Sequence, residues 1–239
     1  MKTERLYEDD DLIIVNKPAR VLSIQDRFDA NLPSIRTMLQ AELGQPVFVV
    51  HRIDRETSGV IMFAKHEAAH RYLSGLFERH EVGKFYAGLV LGTPSPESGR
   101  IEAPIAEHSV IKGKMTISRT GKASVTDYRV VESWPLHALL QWQIHTGRTH
   151  QIRVHMQSIG HPIVCDELYG DAQPFLLSSI KRKYNLGKGQ ETERPLLSRL
   201  ALHAYRLNFA GPNGNEISAE APLPKDIAAC ISQLRKLTT

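Results

Sequence analysis

The chain has 239 residues, 41% of them hydrophobic and 23% charged, with a net charge of +4. That composition excludes the disordered and fibrous classes, the length permits a sizeable core in one large domain or two closely joined lobes, and no apolar run is long enough to span a bilayer. The mild basic excess favours a polyanionic partner without requiring one. Cys165 and Cys230 are the only cysteines and give neither a disulfide framework nor ligand spacing. With an N-terminus that lacks the apolar core of a signal peptide, this leads to the expectation of a reducing, cytoplasmic setting.

Taken in chain order, 12–18 reads as a strand stopped at Pro18, because the residue before a proline is held extended. A helix is expected over 33–42, with Pro33 in its first turn, Ile35, Met38 and Leu39 as its apolar stripe and Gly44 at its end. Strands follow at 47–50 and 59–65, the second almost wholly apolar and so central. The 3.6-residue period of Ala69, Leu73, Leu76 and Phe77 predicts a helix over 67–80. Another strand is expected over 84–92, then a turn-rich edge through the prolines and glycines of 92–104. Beyond 116 the pattern becomes β-rich, with neighbouring strands at 123–131 and 138–144. A helix over 149–159 should close at Gly160 and Pro162. Residues 171–198 are the least regular and are expected to hold a short helix near 174–183. The hairpin language of Asn213-Gly214 joins strands 204–209 and 216–220. A last helix over 225–237 turns Ile227, Ile231 and Leu234 inward. Helices spread among short strands without a regular βαβ rhythm argue an α+β fold around a mixed, mostly antiparallel sheet.

Two clusters carry chemistry. The run His51-Arg-Ile-Asp-Arg-Glu-Thr-Ser-Gly59 sets one carboxylate, Asp54, between Arg52 and Arg55 directly after a buried strand. Such a loop is either an ion-pair latch or an active site. Downstream, His145-Thr-Gly-Arg-Thr-His-Gln-Ile-Arg-Val-His155 is a second basic cluster, and 181–188 a third. The third reads equally well as a solvated loop. His145, His150, His155 and His161 invite a metal reading, but their gaps do not share one helical face, and no carboxylate stands at ligand spacing before Asp166.

These residues resemble the RluA-like pseudouridine synthases, whose signature His-Arg-Leu-Asp-Arg-x-Thr-Ser-Gly is matched by His51–Gly59 with Ile53 in place of leucine. Asn16-Lys-Pro18, Lys84-Phe-Tyr-Ala87, the 145–155 run, Gly160-His-Pro162 with Asp166 and Tyr169-Gly170, and Leu202-His-Ala204 are also similar to the family. The likeness covers roughly residues 5–222, and Arg20 and Cys165 stand where the family usually has glycine. Many relatives carry an N-terminal S4-type RNA-binding domain, and none is expected here. One catalytic domain over 1–239 is expected, its cleft running across the sheet.

The resemblance implies isomerisation of uridine in structured ribosomal or transfer RNA to pseudouridine, with no metal and no other cofactor. Asp54 would attack C1′ or assist departure of uracil towards a glycal. Tyr86 would stack on the target base, and its hydroxyl would help remove the C5 proton if its surroundings allow, since an ordinary phenol is a poor base at pH 7. Arg153 would pair with the catalytic aspartate, although a surface arginine on phosphate is the competing account. Arg55 would enter the space left by the flipped uridine. Arg52, Arg148, His150, Lys181, Arg182 and Lys183 are the remaining candidate RNA contacts, His150 sharing a helical face with Arg153. Thr57 and Ser58 would fix the loop, and His203 and Tyr205 would be structural. The alternatives are an RNA-binding protein without catalysis and a metal-assisted RNA nuclease. A monomer with no obligate protein partner and no membrane contact is expected.

Overall fold

In the computed structural model the described residues are 3–26, 29, 32–181, 184–186 and 191–237. In chain order the elements are β1 (Glu4–Glu8), β2 (Leu12–Lys17), α1 (Ile35–Leu43), β3 (Phe48–Val49), β4 (Ser58–Ala64), α2 (Glu67–Glu78), β5 (Gly83–Leu91), β6 (Ser98–Glu102), β7 (Ile105–Glu107), β8 (Met115–Ile117), β9 (Val125–Ser133), β10 (His137–Ile144), α3 (Gln151–Ser158), β11 (Leu202–Ala210), β12 (Glu216–Glu220) and α4 (Lys225–Arg235). Strand order in the main sheet is β1-β2-β4-β11-β5-β10-β9-β6, with β3 on β4 and β12 on β11, while β7 and β8 form a separate hairpin. The α+β expectation of a mixed, mostly antiparallel sheet is met: β4 with β11 is parallel, whereas β1–β2, β2–β4, β6–β9 and β11–β12 are antiparallel.

The chain packs as two compact units. The first is Met1–Tyr86, Gln143–Thr146 and His203–Pro222, and the second is Ala87–Trp142, Gly147–Leu202 and Leu223–Thr239.

The first unit is layered because β2 and β4 are apolar on both faces. Leu12, Ile14, Val60 and Met62 join Ala69, Leu73 and Leu76 of α2 in one cluster. Ile13, Val15, Ile61 and Phe63 join Ile35 and Leu39 of α1 in another. A strand covered on both sides must read as a continuous apolar run, which is why all seven residues of β4 are buried. Ser34 caps α1 in a capping box with Thr37, and Gly44 ends it at φ 67°.

In the second unit α4 buries Ile227, Cys230, Ile231 and Leu234. Arg199 ties the chain before β11 to this helix by a bidentate pair with Asp226, both bonds 2.7 Å.

Two expectations fail. The turn-rich segment 92–104 contains a strand, β6, which pairs with β9 and buries only Ile101. No helix forms among the described residues of 174–183. Phe175 instead bridges to Leu197, and Leu177 closes a single turn by accepting from the Lys181 amide at 3.0 Å. Phe175 alone is buried there, while Leu176, Leu177 and Ile180 are only partly covered, so no apolar stripe packs a helix against the core. Arg182 and Lys183 lie outside the described residues.

Candidate active site

The loop between β3 and β4 is held almost entirely through its backbone. Ser23 Oγ donates to the Ile53 carbonyl at 2.7 Å and accepts from the Ile53 amide at 3.3 Å. Lys17 is 0% exposed, and its ammonium donates to the carbonyls of Pro18 (3.1 Å), Val21 (2.8 Å) and Arg55 (3.0 Å). The Arg20 amide also donates to the Arg55 carbonyl at 2.8 Å, and Arg55 Nε returns a bond to the Arg20 carbonyl at 3.3 Å. Inside the loop the Thr57 amide donates to the Asp54 carbonyl at 3.1 Å. Arg20 sits at φ 66°, a left-handed conformation that explains why glycine is usual there; arginine accepts a cost of about 1–2 kcal/mol. Cys165, the other departure, has φ 58° for the same reason.

The loop leaves through Ser58 and Gly59. Gly59 has φ 114°, and a Cβ there would lie 2.0 Å from the Ala204 carbonyl oxygen, so the close parallel approach of β4 and β11 requires glycine. Beside it Ser58 Oγ lies 2.9 Å from His203 Nδ1, and His203 Nε2 lies 3.2 Å from the Ala221 carbonyl. A carbonyl only accepts, so Nε2 carries the hydrogen and Nδ1 accepts from the serine hydroxyl. His203 is therefore structural, as expected.

His51, the first residue of the signature, is structural too. Its Nε2 accepts from the Met62 amide at 3.0 Å, and its ring stacks on Phe77 at 4.6 Å and 16°. Burial, together with the positive charge of Lys84, pushes its pKa down to about 3. The ring stays neutral, as an acceptor facing an N–H must.

With the backbone so held, Arg52 and Arg55 are exposed and Asp54 is half-buried at the surface of the first unit. Tyr86 packs against the cluster that contains Ile53 and Ala204. Burial first, and then the negative charge of Asp54, raise its phenol pKa. Phe85 faces the other way: its ring lies 4.3 Å from the Arg206 guanidinium and 6.3 Å from the Tyr205 ring. The alternation of a strand thus gives Tyr86 to the Asp54 side and Phe85 to the opposite face.

In the second unit Arg153, 6% exposed, makes a bidentate ion pair with Asp166, 0% exposed, both bonds 2.8 Å. Asp166 Oδ1 also accepts from the amides of Leu168 (3.0 Å) and Tyr169 (3.1 Å). The Arg153 guanidinium lies over the Tyr169 ring at 4.9 Å, whose hydroxyl accepts from the Met115 amide at 2.7 Å and bonds His150 Nδ1 at 2.9 Å. Arg153 and His150 therefore do share a face, and that face is turned to Tyr169. The sequence motif includes Asp166 and Tyr169 but does not by itself assign this work to them. The available signal was that a buried arginine needs a buried carboxylate.

The other candidates are dispersed within the second unit. Arg148 Nε donates to the Ala123 carbonyl at 3.1 Å, and with Lys122 and Thr149 it lines a cavity of about 450 Å3. Lys181 is half-buried. His155 bonds Thr126 Oγ1 (2.9 Å) and the Ala103 carbonyl (3.0 Å), and His161 bonds the Leu91 carbonyl (2.9 Å). These histidines serve the fold individually, and among the described residues no three His, Cys, Asp or Glu side chains converge to hold a metal.

A pinned loop presenting a carboxylate next to a phenol, with exposed guanidinium groups on either side in sequence, is an arrangement suited to chemistry on a polyanion. Comparison with known proteins agrees. The family described as RNA pseudouridylate synthase matches residues 11–158, which include both the Asp54 loop and α3. An uncharacterized RNA pseudouridine synthase of Chlorobaculum parvum is 36% identical, covering 98% of this chain and 75% of its own. The ribosomal large subunit pseudouridine synthase D of Nitrosomonas europaea is 34% identical, covering 97% of this chain and 65% of its own. The solved structure of human RNA pseudouridylate synthase domain containing 4 superposes with a TM-score of 0.73 at 26% identity, covering 97% of this chain and 93% of that one. The chain belongs to the RNA pseudouridylate synthase family. Its reaction is accordingly the isomerisation of uridine in RNA to pseudouridine.

Proposed function

We propose that Asp54 is the carboxylate of this isomerisation, that Tyr86 is its aromatic partner and that Arg153 is the basic residue serving the aspartate, on a structured ribosomal or transfer RNA. The observation that carries the reading is the loop itself: four backbone positions around Asp54 are anchored while its side chain is left at the surface next to Tyr86.

In this mechanism an Asp54 oxygen bonds to C1′ as the C1′–N1 bond breaks, and the electron pair leaves with uracil. The freed base turns, C5 bonds to C1′, and the C1′–oxygen bond breaks to restore the carboxylate. The C5 proton is then lost, and N1 takes up a proton. Burial and then the Asp54 charge raise the Tyr86 pKa, so the hydroxyl stays protonated at neutral pH, and stacking on the target base is the role the site supports best. A uridine in a stem must first flip out, and in this reading Arg55, exposed on the same loop, fills the vacated stack. Arg52, Arg148, His150 and Lys181 supply contacts to the RNA, and the sequence continues with Arg182 and Lys183. The free thiols of Cys165 and Cys230 suit a cytoplasmic enzyme, which the same reading takes to act as a monomer without an obligate protein partner.

The test is a single-nucleotide pseudouridine map of RNA from cells with and without this gene, complemented with the wild type or with Asp54→Asn. A site lost on deletion and restored by the wild type alone is expected. Restoration by Asp54→Asn would overturn the mechanism.

A further inference from the structure

A second cavity, of about 420 Å3, opens in the second unit and contains none of Asp54, Tyr86 or Arg153. Its volume lies within the range of about 300–1,000 Å3 usual for small-molecule sites. His137, Phe175 and Val164 form its buried floor, and Leu136, Asp171 and Gln173 its exposed rim. His137 is 8% exposed, and among the described residues its ring makes no hydrogen bond; it tilts against Phe175 at 5.0 Å and 58° and lies within the field of the Asp171 carboxylate. Its nitrogens are reached by solvent, and a neutral imidazole, with one nitrogen donating and the other accepting, has both bonds left to offer a ligand.

The lining selects the occupant. Leu136, Val164 and Phe175 give flat apolar contact. Asp171 is an acceptor only, Gln173 both donates and accepts, and a neutral imidazole does the same. Among the described residues no lysine or arginine lines the cavity, and the carboxylate at its rim repels phosphate, so the recognised part is a base and not a backbone. Guanine presents N1–H and N2–H on adjacent atoms, which match the two oxygens of one carboxylate. Adenine and uracil lack that pair.

We propose that this cavity is a second nucleobase site, separate from the catalytic residues, that binds guanine against Asp171, Gln173 and His137. The base belongs either to an unpaired nucleotide of the RNA substrate or to a free nucleoside, and the two sources are separable.

Guanosine, adenosine and uridine are titrated against the full chain by saturation-transfer NMR. Wild type, Asp171→Asn and His137→Leu are compared, with thermal unfolding as a check on folding. Guanosine should bind saturably, adenosine and uridine far more weakly, and Asp171→Asn should lose about tenfold, the scale of a hydrogen bond to a charged group. The exposed Asp171→Asn keeps the test meaningful even if His137→Leu unfolds. Pseudouridine formation on RNA from the deletion cells then separates the sources. A raised KM at unchanged kcat in Asp171→Asn assigns the base to the RNA. An unchanged KM, with guanosine binding intact in the wild type, assigns it to a free nucleoside. Absence of saturable guanosine binding together with an unchanged KM would overturn the proposal, as would equal binding of adenosine or undiminished binding by folded Asp171→Asn. Because the titration needs no turnover, its result stands apart from the catalytic assignment.

Discussion

The Asp54 loop of the first unit and the Arg153 helix of the second fix their key side chains in opposite ways. Around Asp54 the anchors grip the main chain: Ser23 at Ile53, Lys17 and Arg20 at Arg55, and Thr57 at the Asp54 carbonyl itself. Around Arg153 the anchors grip the side chain, through the two Asp166 bonds and the Tyr169 ring. A carboxylate that has to make and break a bond is best carried by a rigid backbone, which fixes where its oxygens stand. A guanidinium that only has to present charge can be immobilised outright, and its burial then makes the carboxylate partner indispensable. Function and stability should accordingly separate between the two regions.

Asp54→Asn tests one side of that contrast. Turnover should fall on the order of 10^4-fold or more, as for loss of a nucleophile, while the thermal midpoint and RNA affinity change little. A large fall in the midpoint would show that Asp54 is part of the scaffold. Asp166→Ala tests the other side. It leaves a buried guanidinium without its bidentate partner and should cost about 3–5 kcal/mol in denaturant unfolding. A loss within experimental error would mean that Arg153 is held by other contacts.

Tyr86→Phe sharpens the comparison inside the first unit, since it keeps the ring and removes the hydroxyl. A drop in kcat of about 10^2-fold or more with KM unchanged is expected if the hydroxyl handles the C5 proton. An unchanged rate would reduce Tyr86 to a stacking platform.

The smallest effect is on pH. His51 has a pKa of about 3 in the folded protein against an ordinary 6.5, so on acidification the unfolded chain takes up the proton first. Stability from this group is complete above pH 6.5 and is lost as pH falls towards 3, at no more than about 1.4 kcal/mol per pH unit. His137 and His155, also lowered by burial, act in the same direction. Urea midpoints from pH 7 to 4 should therefore decline, and less steeply in His51→Gln. Equal slopes would exclude His51 as a source.

Long apolar or strongly periodic segments were readable from sequence because burial alone determines them. β2 and β4 fall where their apolar runs put them, and α2 follows its 3.6-residue stripe. β6 escaped because Ile101 is its only buried residue, too little for a two-residue period to register. β1 and the β7–β8 hairpin are short, β1 buries no residue and the hairpin only Ile105, so neither leaves an apolar period to read although each pairs with its neighbour in sequence. At the site, the signature located Asp54 and its arginines. It could not reveal that His51 is a neutral acceptor for β4, that Lys17 braces the loop from beneath, or that Arg153 is paired with Asp166. Those are facts about which atoms meet, and residue spacing does not carry them.

Lys17 has a consequence of its own. Three carbonyls from separate positions converge on one amine, a tetrahedral arrangement that a planar guanidinium cannot reproduce, so arginine is no conservative replacement here. The same enclosure makes the amine unreactive towards acylating reagents while the loop is closed. Acetylation or carbamylation found at Lys17 would thus be a chemical record that the loop had opened, kept in the chain long after it closed again.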